Sequence, residues 1–384
     1  MSLSARLLDR LGRHISGGTV AVRHADGRET LYGKGDPRIS VEITDGSLTR
    51  KLLLGGGSAL GDGYVKGDWS TSDLAGLLYL ASQARDRAVT GLLTQPFHRL
   101  GVWLRRFLIP HRRGPVETMA QHYDLGNDFY SAWLDPTMAY SSGLFEGTED
   151  LEQAQKNKYR RICEMGGIGS GTRVLEIGFG WGGFAEEALS RGASVTGLTI
   201  SKEQLEYAQQ HLKEYSERLD LRLVDFEEAE ITQHDAVVSI EMIESIEQDR
   251  WPALFETFAK ATKPGGRIVL QSIVIDETHW ETYRASNDFI RQYIFPGGRL
   301  PTPSLIRKHS SDAGLITKDI LDFGASYAKT LAEWNRRFQA AWPSIHKGLF
   351  DETFKRMWEY YLAYCEAGFL TGRISVQQWT FLKP

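Results

Sequence analysis

The stretch that most constrains this chain is VLEIGFGWGG, from Val174 to Gly183. It opens with an apolar run typical of a buried strand, and its glycines Gly178, Gly180 and Gly183 match the pattern G-x-G-x-x-G. The next segment, FAEEALSRGA, has apolar side chains at helical spacing. A strand, a glycine turn and a helix open a doubly wound α/β domain, whose glycines let the backbone approach a nucleotide-like ligand. Because this pattern alone is a weak signal, a tight turn without a ligand stays open here.

Two features near the turn separate the possible ligand classes. Glu176 lies inside the strand, two residues before the first glycine, which is a usual position for an acid in S-adenosylmethionine-dependent methyltransferases. The next strand, SVTGLTIS, has no Asp or Glu at its end, where a nicotinamide enzyme needs a carboxylate for the ribose hydroxyls. Thr199 and Gln204 are the polar groups available instead. The sequence therefore favours a methyltransferase over a nicotinamide-dependent oxidoreductase.

Length and composition exclude several other classes. At 384 residues the chain is long enough for two domains, and its formal net charge of −4 argues against general binding of nucleic acid. No uncharged apolar run approaches the length of about 18 residues that spans a bilayer. Arginines interrupt the first residues, where a signal peptide needs an apolar stretch, and the two cysteines form no metal or disulfide pattern. We therefore expect a cytoplasmic protein without a metal site.

Two domains are predicted, with a boundary at residues 114 and 115. Short alternating segments between Gly18 and Val41 predict strands, so residues 1–114 are expected to hold a small α+β domain that associates with lipid or membrane. Residues 91–115 mix large apolar side chains with arginines, which suits contact with an anionic membrane surface. An interdomain helix with solvated arginines fits the same composition. In residues 115–384, strands and helices alternate as a parallel sheet demands, so this part is the predicted methyltransferase domain.

Six separated motifs carry a more specific signal. They read HYDLGNDFYSAWLDPTMAYSSGLFE, VLEIGFGWGG, GLTISKEQ, SIEMIES, QYIFPGG and YYLAYCEAGFLTGRISVQQW. In this order they resemble motifs of the cyclopropane-fatty-acid synthase family, which includes mycolic-acid methyltransferases and the fatty-acid methyltransferases that make methyl-branched lipids. The resemblance implies an α/β fold: a Rossmann-like class I methyltransferase with a mixed seven-stranded sheet and acyl-chain-binding insertions, plus a smaller N-terminal α+β domain.

The resemblance also implies a reaction and some of its residues. Family members transfer a methyl group from S-adenosylmethionine to a cis double bond of an acyl chain, typically in a membrane phospholipid. The transfer leaves a carbocation, which π faces and a few aimed negative groups stabilise where water is excluded. A base must then remove a proton, and family members hold a bicarbonate ion for this step. On this chain the bicarbonate ligands correspond to Glu244, Tyr327 and the backbone of Ile273.

Two positions depart from the family pattern, and they leave the base open. Ser142 stands where the family has a Cys, and Gln271 stands where it has a His. Both side chains can still hydrogen-bond, so bicarbonate remains one interpretation. In the other, a carboxylate of the protein acts as base, with Glu146 as the nearest candidate in its motif. The product likewise stays open between a cyclopropane and, if a hydride shift precedes deprotonation, a methylene-branched chain.

The same motifs assign contacts to S-adenosylmethionine. By the resemblance, Tyr140 and Ser141 match lid residues that close over the methionine part, and the first-motif turn is matched by Glu176, Gly178 and Gly180. Ribose contacts are matched by Thr199 and Gln204, and adenine-side contacts by Phe226 and Glu227.

The expected partners follow from the expected substrate. They are unsaturated phospholipid acyl chains, an anionic membrane contacted peripherally on its inner face, a reductase acting on the product, and a second copy of the chain in a homodimer, with no nucleic acid. Two other functions stay open: a methyltransferase for a soluble small molecule, and a non-catalytic lipid-binding protein.

The basic segment generates a prediction about membrane contact. Neutralising Arg105, Arg106, Arg112 and Arg113 together is expected to weaken binding to anionic vesicles by roughly 1 kcal/mol per charge. Vesicle sedimentation at several salt concentrations measures this, and binding that does not respond to salt would contradict the prediction.

Overall fold

The computed structural model describes residues 12–90, 125–286, 288–345 and 350–384. The chain divides into two compact units. Glu281–Ile294 and Trp342–Gly372 belong to the first unit, together with the N-terminal elements. Both segments fall within residues 115–384, the predicted methyltransferase domain, so the structure departs from that prediction. The basic segment 91–115 lies outside the described residues.

The regular elements are numbered in chain order. The strands are β1 (Gly18–Arg23), β2 (Glu29–Lys34), β3 (Arg38–Ile43), β4 (Trp69–Thr71), β5 (Arg173–Ile177), β6 (Ser194–Thr199), β7 (Leu219–Leu223), β8 (His234–Ile240), β9 (Thr262–Ile275), β10 (Ile316–Asp322) and β11 (Ile374–Leu382). The α-helices are α1 (Leu48–Val65), α2 (Leu74–Thr90), α3 (Asn127–Ser131), α4 (Leu151–Gly166), α5 (Gly183–Ser190), α6 (Lys202–His211), α7 (Trp251–Ala261), α8 (Glu277–Ala285), α9 (Pro303–Asp312), α10 (Gly324–Ile345) and α11 (Glu352–Leu370).

The first unit contains a four-stranded sheet with the order β2-β1-β3-β4. Its first three strands are the alternating segments that the sequence predicted as strands. Val20, Ile39 and Leu80 form its buried core. Helix α11 packs in the same unit against α1 and α2, and Arg356 holds it there by donating hydrogen bonds to the backbone oxygens of Tyr64 and Trp69 at 2.5 and 2.7 Å.

The second unit contains the seven-stranded sheet that the sequence analysis expected. Its order is β10-β11-β9-β8-β5-β6-β7. Strands β5 to β9 run parallel to one another, whereas β11 is antiparallel to both β9 and β10. The sheet is therefore mixed, as predicted for a class I methyltransferase.

Burial on both faces explains why β5 and β8 form the centre of this sheet. Val174 and Val238 face one apolar cluster, which also includes Phe184 of α5. Leu175 and Val237 face a second cluster, which includes Phe258 of α7. Because both strands are covered on both sides, their sequences read as nearly continuous apolar runs. Because β5 and β8 run parallel, their carboxyl ends lie at the same edge of the sheet, where a ligand site is expected.

Within the part of the chain that the structure describes, no helix combines the length and the apolar character needed to cross a bilayer.

Candidate active site

A cavity of about 240 Å³ lies at the carboxyl ends of β5, β6 and β8. This is the edge at which doubly wound sheets bind ligands. Its lining includes all but one of the residues that the sequence assigned to the cofactor. These are Tyr140, Ser141, Glu176, Gly178, Gly180, Thr199, Gln204 and Phe226.

The glycine turn after β5 needs its glycines for two different reasons. Gly178 and Gly180 have φ angles of 82° and 56°, in the left-handed region that other residues rarely adopt. A Cβ atom on Gly178 would lie 2.9 Å from Cγ of Met242, so it would clash with protein. A Cβ atom on Gly180 would meet no atom within 4 Å, because this residue faces the open cavity. Gly180 therefore keeps space free for a ligand.

The adenine end of the cavity differs in part from the prediction. Phe226 lines the cavity, but Glu227 does not; it is exposed and forms an ion pair with Arg250. Asp225 and Arg250 line the cavity instead, joined by a hydrogen bond of 2.7 Å. The Arg250 guanidinium also lies 4.9 Å from the centre of the Phe226 ring. Asp225 could have been predicted as a cavity residue from its sequence position, because it follows β7 and directly precedes Phe226.

A buried lysine, which the sequence analysis missed, balances the acids beneath the cavity. Lys158 of α4 is fully buried and donates a hydrogen bond to Oγ of Ser141 at 2.7 Å. Burial lowers the pKa of its ammonium group to about 8, although neighbouring carboxylates, among them Glu241 and Glu176, oppose this shift. Glu176 is itself 2% exposed, and burial holds its pKa well above the ordinary value. Its Oε2 atom makes no hydrogen bond among the described residues, so one buried carboxyl oxygen at the cavity wall remains for a ligand.

Three predicted residues converge on a carboxylate that the sequence analysis also missed, Glu241. Its Oε2 atom accepts a hydrogen bond from the Tyr327 hydroxyl at 2.6 Å. Its Oε1 atom accepts from Nε2 of Gln271 at 2.7 Å and from the backbone nitrogen of Ser142 at 2.9 Å. We call these four residues the carboxylate cluster. Burial raises the pKa of Glu241, while the three hydrogen bonds and Lys158 act in the opposite direction.

The backbone of Glu241 is strained. Its φ angle is 50°, one of two positive values among the described non-glycine residues. Such a conformation costs of the order of 1–3 kcal/mol and persists only where surrounding structure enforces it. Here its backbone nitrogen donates to the oxygen of Gln271 at 2.8 Å, which extends the pairing of β8 with β9.

Glu244 and Ile273, both predicted bicarbonate ligands, contact each other directly. The backbone nitrogen of Ile273 donates a short hydrogen bond to Oε1 of Glu244. Burial, followed by the negative charge of Glu241, raises the pKa of Glu244 to about 8. Both effects favour the protonated form of Glu244 at neutral pH.

The structure does not bring Glu146 into this arrangement. Glu146 is exposed, and it is Glu241 that stands among the donors Ser142, Gln271 and Tyr327. The prediction of Glu146 rests on its position in the same motif as Ser142. Nearness along the chain did not translate into nearness in space.

Aromatic rings connect the cavity with the carboxylate cluster. Tyr140, which lines the cavity, lies 5.7 Å from Trp133 and 5.4 Å from Trp334 between ring centres. Trp334 in turn lies 6.1 Å from Tyr327. We call Tyr140, Trp133, Trp334 and Tyr327 the aromatic wall. Its rings offer polarisable π faces and exclude water.

Gly180 generates a prediction about cofactor binding. Gly180→Val is expected to abolish binding of S-adenosylmethionine, because the new side chain projects into the cavity. Isothermal calorimetry measures the affinity. Gly171→Val is the matched control, since Gly171 also has a positive φ angle of 76° and open space at its Cβ, but does not line the cavity. Retained affinity in Gly180→Val, or equal loss in both variants, would contradict the assignment.

Glu244 generates a prediction about pH and stability. Burial raises the pKa of its carboxyl group to about 8 in the folded protein, against an ordinary value of about 4.5. Between these two pH values the unfolded chain has released the proton that the folded protein keeps, so this group lowers the free energy of unfolding by roughly 1.4 kcal/mol per pH unit as pH rises. Glu244→Gln removes the titration but keeps an oxygen for the Ile273 nitrogen.

The stability of the Glu244→Gln variant relative to wild type is therefore expected to increase as pH rises from about 5 to about 8. Urea denaturation followed by tryptophan fluorescence measures both proteins. Parallel stability curves over this range would show that Glu244 does not hold its proton as described.

Known proteins resemble both the chain and the fold. A family model described as mycolic acid cyclopropane synthetase matches residues 111–379. Tuberculostearic acid methyltransferase UfaA1 of Mycobacterium tuberculosis is 33% identical over 404 residues, covering 100% of this chain and 91% of that protein. The cyclopropane-fatty-acyl-phospholipid synthase of Escherichia coli is 33% identical over 354 residues, and the match covers 90% of this chain and 88% of the Escherichia coli protein.

Solved structures agree. The crystal structure of mycolic acid cyclopropane synthase CmaA1 complexed with SAH and CTAB has a TM-score of 0.64 and 28% identity, and covers 70% of this chain and 99% of that chain. The cyclopropane synthase MmaA2 of Mycobacterium tuberculosis has a TM-score of 0.63 and 29% identity, with 71% and 99% covered. The chain therefore belongs to the mycolic acid cyclopropane synthetase family and is an S-adenosylmethionine-dependent methyltransferase of class I fold.

Proposed function

We propose that this enzyme methylates the cis double bond of an unsaturated fatty acyl chain carried by a phospholipid. The product is a cyclopropane or a methylene-branched chain, formed through a carbocation. The observation that carries this proposal is the carboxylate cluster at the cavity wall, joined to the cavity by the aromatic wall. The names of the two relatives described above support a lipid substrate, since one is a tuberculostearic acid methyltransferase and the other a cyclopropane-fatty-acyl-phospholipid synthase.

The lining of the cavity suits S-adenosylmethionine. The glycine turn leaves open space at Gly180, and Thr199 and Gln204 form a hydrogen-bonded pair of 2.9 Å at the end of β6. Glu176 offers its buried carboxyl oxygen to a cationic group. When bound, S-adenosylmethionine supplies an electrophilic methyl group next to a positive sulfur. In this part of the described chain, the buried carboxyl groups outnumber the one buried ammonium group, that of Lys158. A positive charge bound near Glu176 and Glu241 would offset this excess of negative charge.

An alkene substrate explains the surroundings of the reacting methyl group. An alkene loses no proton before it attacks, so no base is needed at that stage. The carbocation that follows needs π faces and few water molecules, because water would capture it. Tyr140 lines the cavity and supplies such a face, and the fully buried Trp133 and Trp334 pack against its ring. A soluble substrate methylated on nitrogen or oxygen would need none of these features.

We further propose peripheral contact with the anionic inner face of the membrane, since a phospholipid substrate resides there. The basic segment 91–115, the candidate for this contact, lies outside the described residues. A homodimer, a reductase acting on a methylene product, and a cytoplasmic location stay predictions.

The experiment is mass spectrometry of lipids made by the purified chain. Vesicles of a defined monounsaturated phospholipid are incubated with S-adenosylmethionine whose methyl group carries deuterium. The fatty acids are expected to gain one CH2 unit at the former double bond and to lose one deuterium from the transferred methyl group. Fragmentation after derivatisation then distinguishes a ring from a methylene branch.

Two outcomes would contradict the proposal. Methyl transfer to a water-soluble compound, with lipids unchanged, would favour the small-molecule alternative. Vesicle binding without any turnover would favour a lipid-binding protein. Gly180→Val and Gly171→Val serve as the inactive variant and its control.

A further inference from the structure

We propose that the carboxylate of Glu241 is the base of this reaction and stands in the place where the family pattern expects bicarbonate. The inference rests on the proposed function and adds to it the residue that removes the proton. It follows from where the hydrogen bonds of the carboxylate cluster go.

The donors expected for bicarbonate are already used. Ser142, Gln271 and Tyr327 all donate to Glu241, at 2.9, 2.7 and 2.6 Å. A bicarbonate ion is also a small planar anion that accepts hydrogen bonds, so it would need the same three donors. It would further have to lie beside the Glu241 carboxylate, where like charges repel. The residues present therefore do not fit a bicarbonate ion.

The donors are held in position by protein, which fixes how they face Glu241. The side-chain oxygen of Gln271 accepts a hydrogen bond of 2.9 Å from Nε2 of Gln378, the residue opposite it on β11. The amide nitrogen of Gln271 must consequently point the other way, towards Glu241. Both glutamines are buried, at 0% and 2% exposed, so water does not compete for these groups. The cluster is thus preorganised around a carboxylate.

The strained backbone of Glu241 supports the same conclusion. A glycine adopts a φ angle of 50° without strain, whereas this chain has a glutamate there. The chain therefore bears the strain of a left-handed glutamate at this position, and the carboxylate of that glutamate is the acceptor of the carboxylate cluster. Strain of this kind gathers at functional sites.

Glu241 also lines the cavity in which the reaction is proposed to occur, as a base must. It is the member of the carboxylate cluster that lines the cavity, beside Tyr140 and Ser141. Neighbouring Glu244 keeps its own proton, because burial and the charge of Glu241 raise its pKa to about 8. Glu241 accepts hydrogen bonds from three separate residues, which favour its anionic form, and it lines the cavity, whereas Glu244 does not.

The chemical step balances. The double bond supplies the electron pair that forms the new carbon–carbon bond to the methyl group, and the donor leaves as its neutral thioether. Oε of Glu241 then takes a proton from the added methyl group. The electron pair of that C–H bond closes the ring onto the cationic carbon or, after a hydride shift, forms the methylene double bond. Glu241 ends protonated and returns its proton to water after the lipid leaves.

The decisive measurement uses the wild-type chain. Turnover on unsaturated phospholipid vesicles is followed in buffer freed of carbon dioxide and then supplemented with bicarbonate. Equal rates are expected. A rate that collapses without bicarbonate overturns the inference but leaves the proposed function intact. Failure to methylate lipid in either buffer would instead overturn the proposed function.

Two variants sharpen the result. Glu241→Gln is expected to slow turnover by about a hundredfold or more in both buffers, because an amide fills the space without basicity. Glu241→Gly relieves the backbone and frees the three donors, so added bicarbonate is expected to restore turnover. Carbon-13 NMR of labelled bicarbonate, a readout independent of activity, is expected to show binding to Glu241→Gly and none to wild type.

Glu146→Gln tests the competing carboxylate. If Glu146→Gln abolishes turnover while Glu241→Gln preserves it, the base is Glu146 and the inference fails. If the Glu241 variants do not fold, as judged by thermal melting, the bicarbonate dependence of wild type still decides.

Discussion

The site depends on keeping several carboxyl groups buried beside one ammonium group. Lys158 is fully buried, and its charge acts on Glu176, Glu241 and Asp135. Burial alone would force protons onto all of these acids. The lysine and the hydrogen-bond donors around each acid decide which one stays ionised. Asp135 accepts from the backbone nitrogen and the hydroxyl of Thr137, whereas Glu244 keeps its proton. The chemistry of the site is therefore set by a division of charge among neighbours rather than by one reactive side chain.

This division of charge requires the segment 140–143, which we call the lid segment, to be held by elements far apart in sequence. Helix α4 supplies Lys158 and Gln155, which bond to the side chain and the backbone oxygen of Ser141. Helix α10 supplies Thr330, whose hydroxyl accepts from the backbone nitrogen of Gly143 at 3.1 Å. With both sides of the segment fixed, the backbone nitrogen of Ser142 is free to face Glu241. The contacts that hold the lid segment in place therefore also orient the donor that Ser142 offers to the carboxylate cluster.

Much of this arrangement could be predicted from the sequence, because the signals are local. A buried strand, a glycine turn and an amphipathic helix lie within one short stretch, and the alternation after it predicted the parallel part of the sheet. The mixed, seven-stranded form of the sheet was implied only by the family resemblance. Glu241 could not be predicted in the same way. In SIEMIES it resembles Glu244, three residues on, and what separates them is a left-handed backbone and donors from three other parts of the chain.

Two further misses have the same origin. Lys158 lies in a helix rich in charged residues, where a lysine is normally solvated, and its burial depends on acids distant in sequence. Helix α11 shows an apolar face, but periodicity does not say which unit that face will pack against. Local sequence patterns predict helices and strands. The charge balance around a buried side chain and the packing partner of a helix depend instead on residues distant in sequence.

The place of β11 in the sheet has a consequence for how the molecule matures. This strand carries the final described segment of the sheet, yet it inserts between β9 and β10, so β10 joins the sheet through it. Gln378, which orients Gln271, arrives with the same strand. The residues of the glycine turn after β5 are therefore synthesised well before the strand that orients this amide. The amide of Gln271 can take its final orientation towards Glu241 only once β11 has been made.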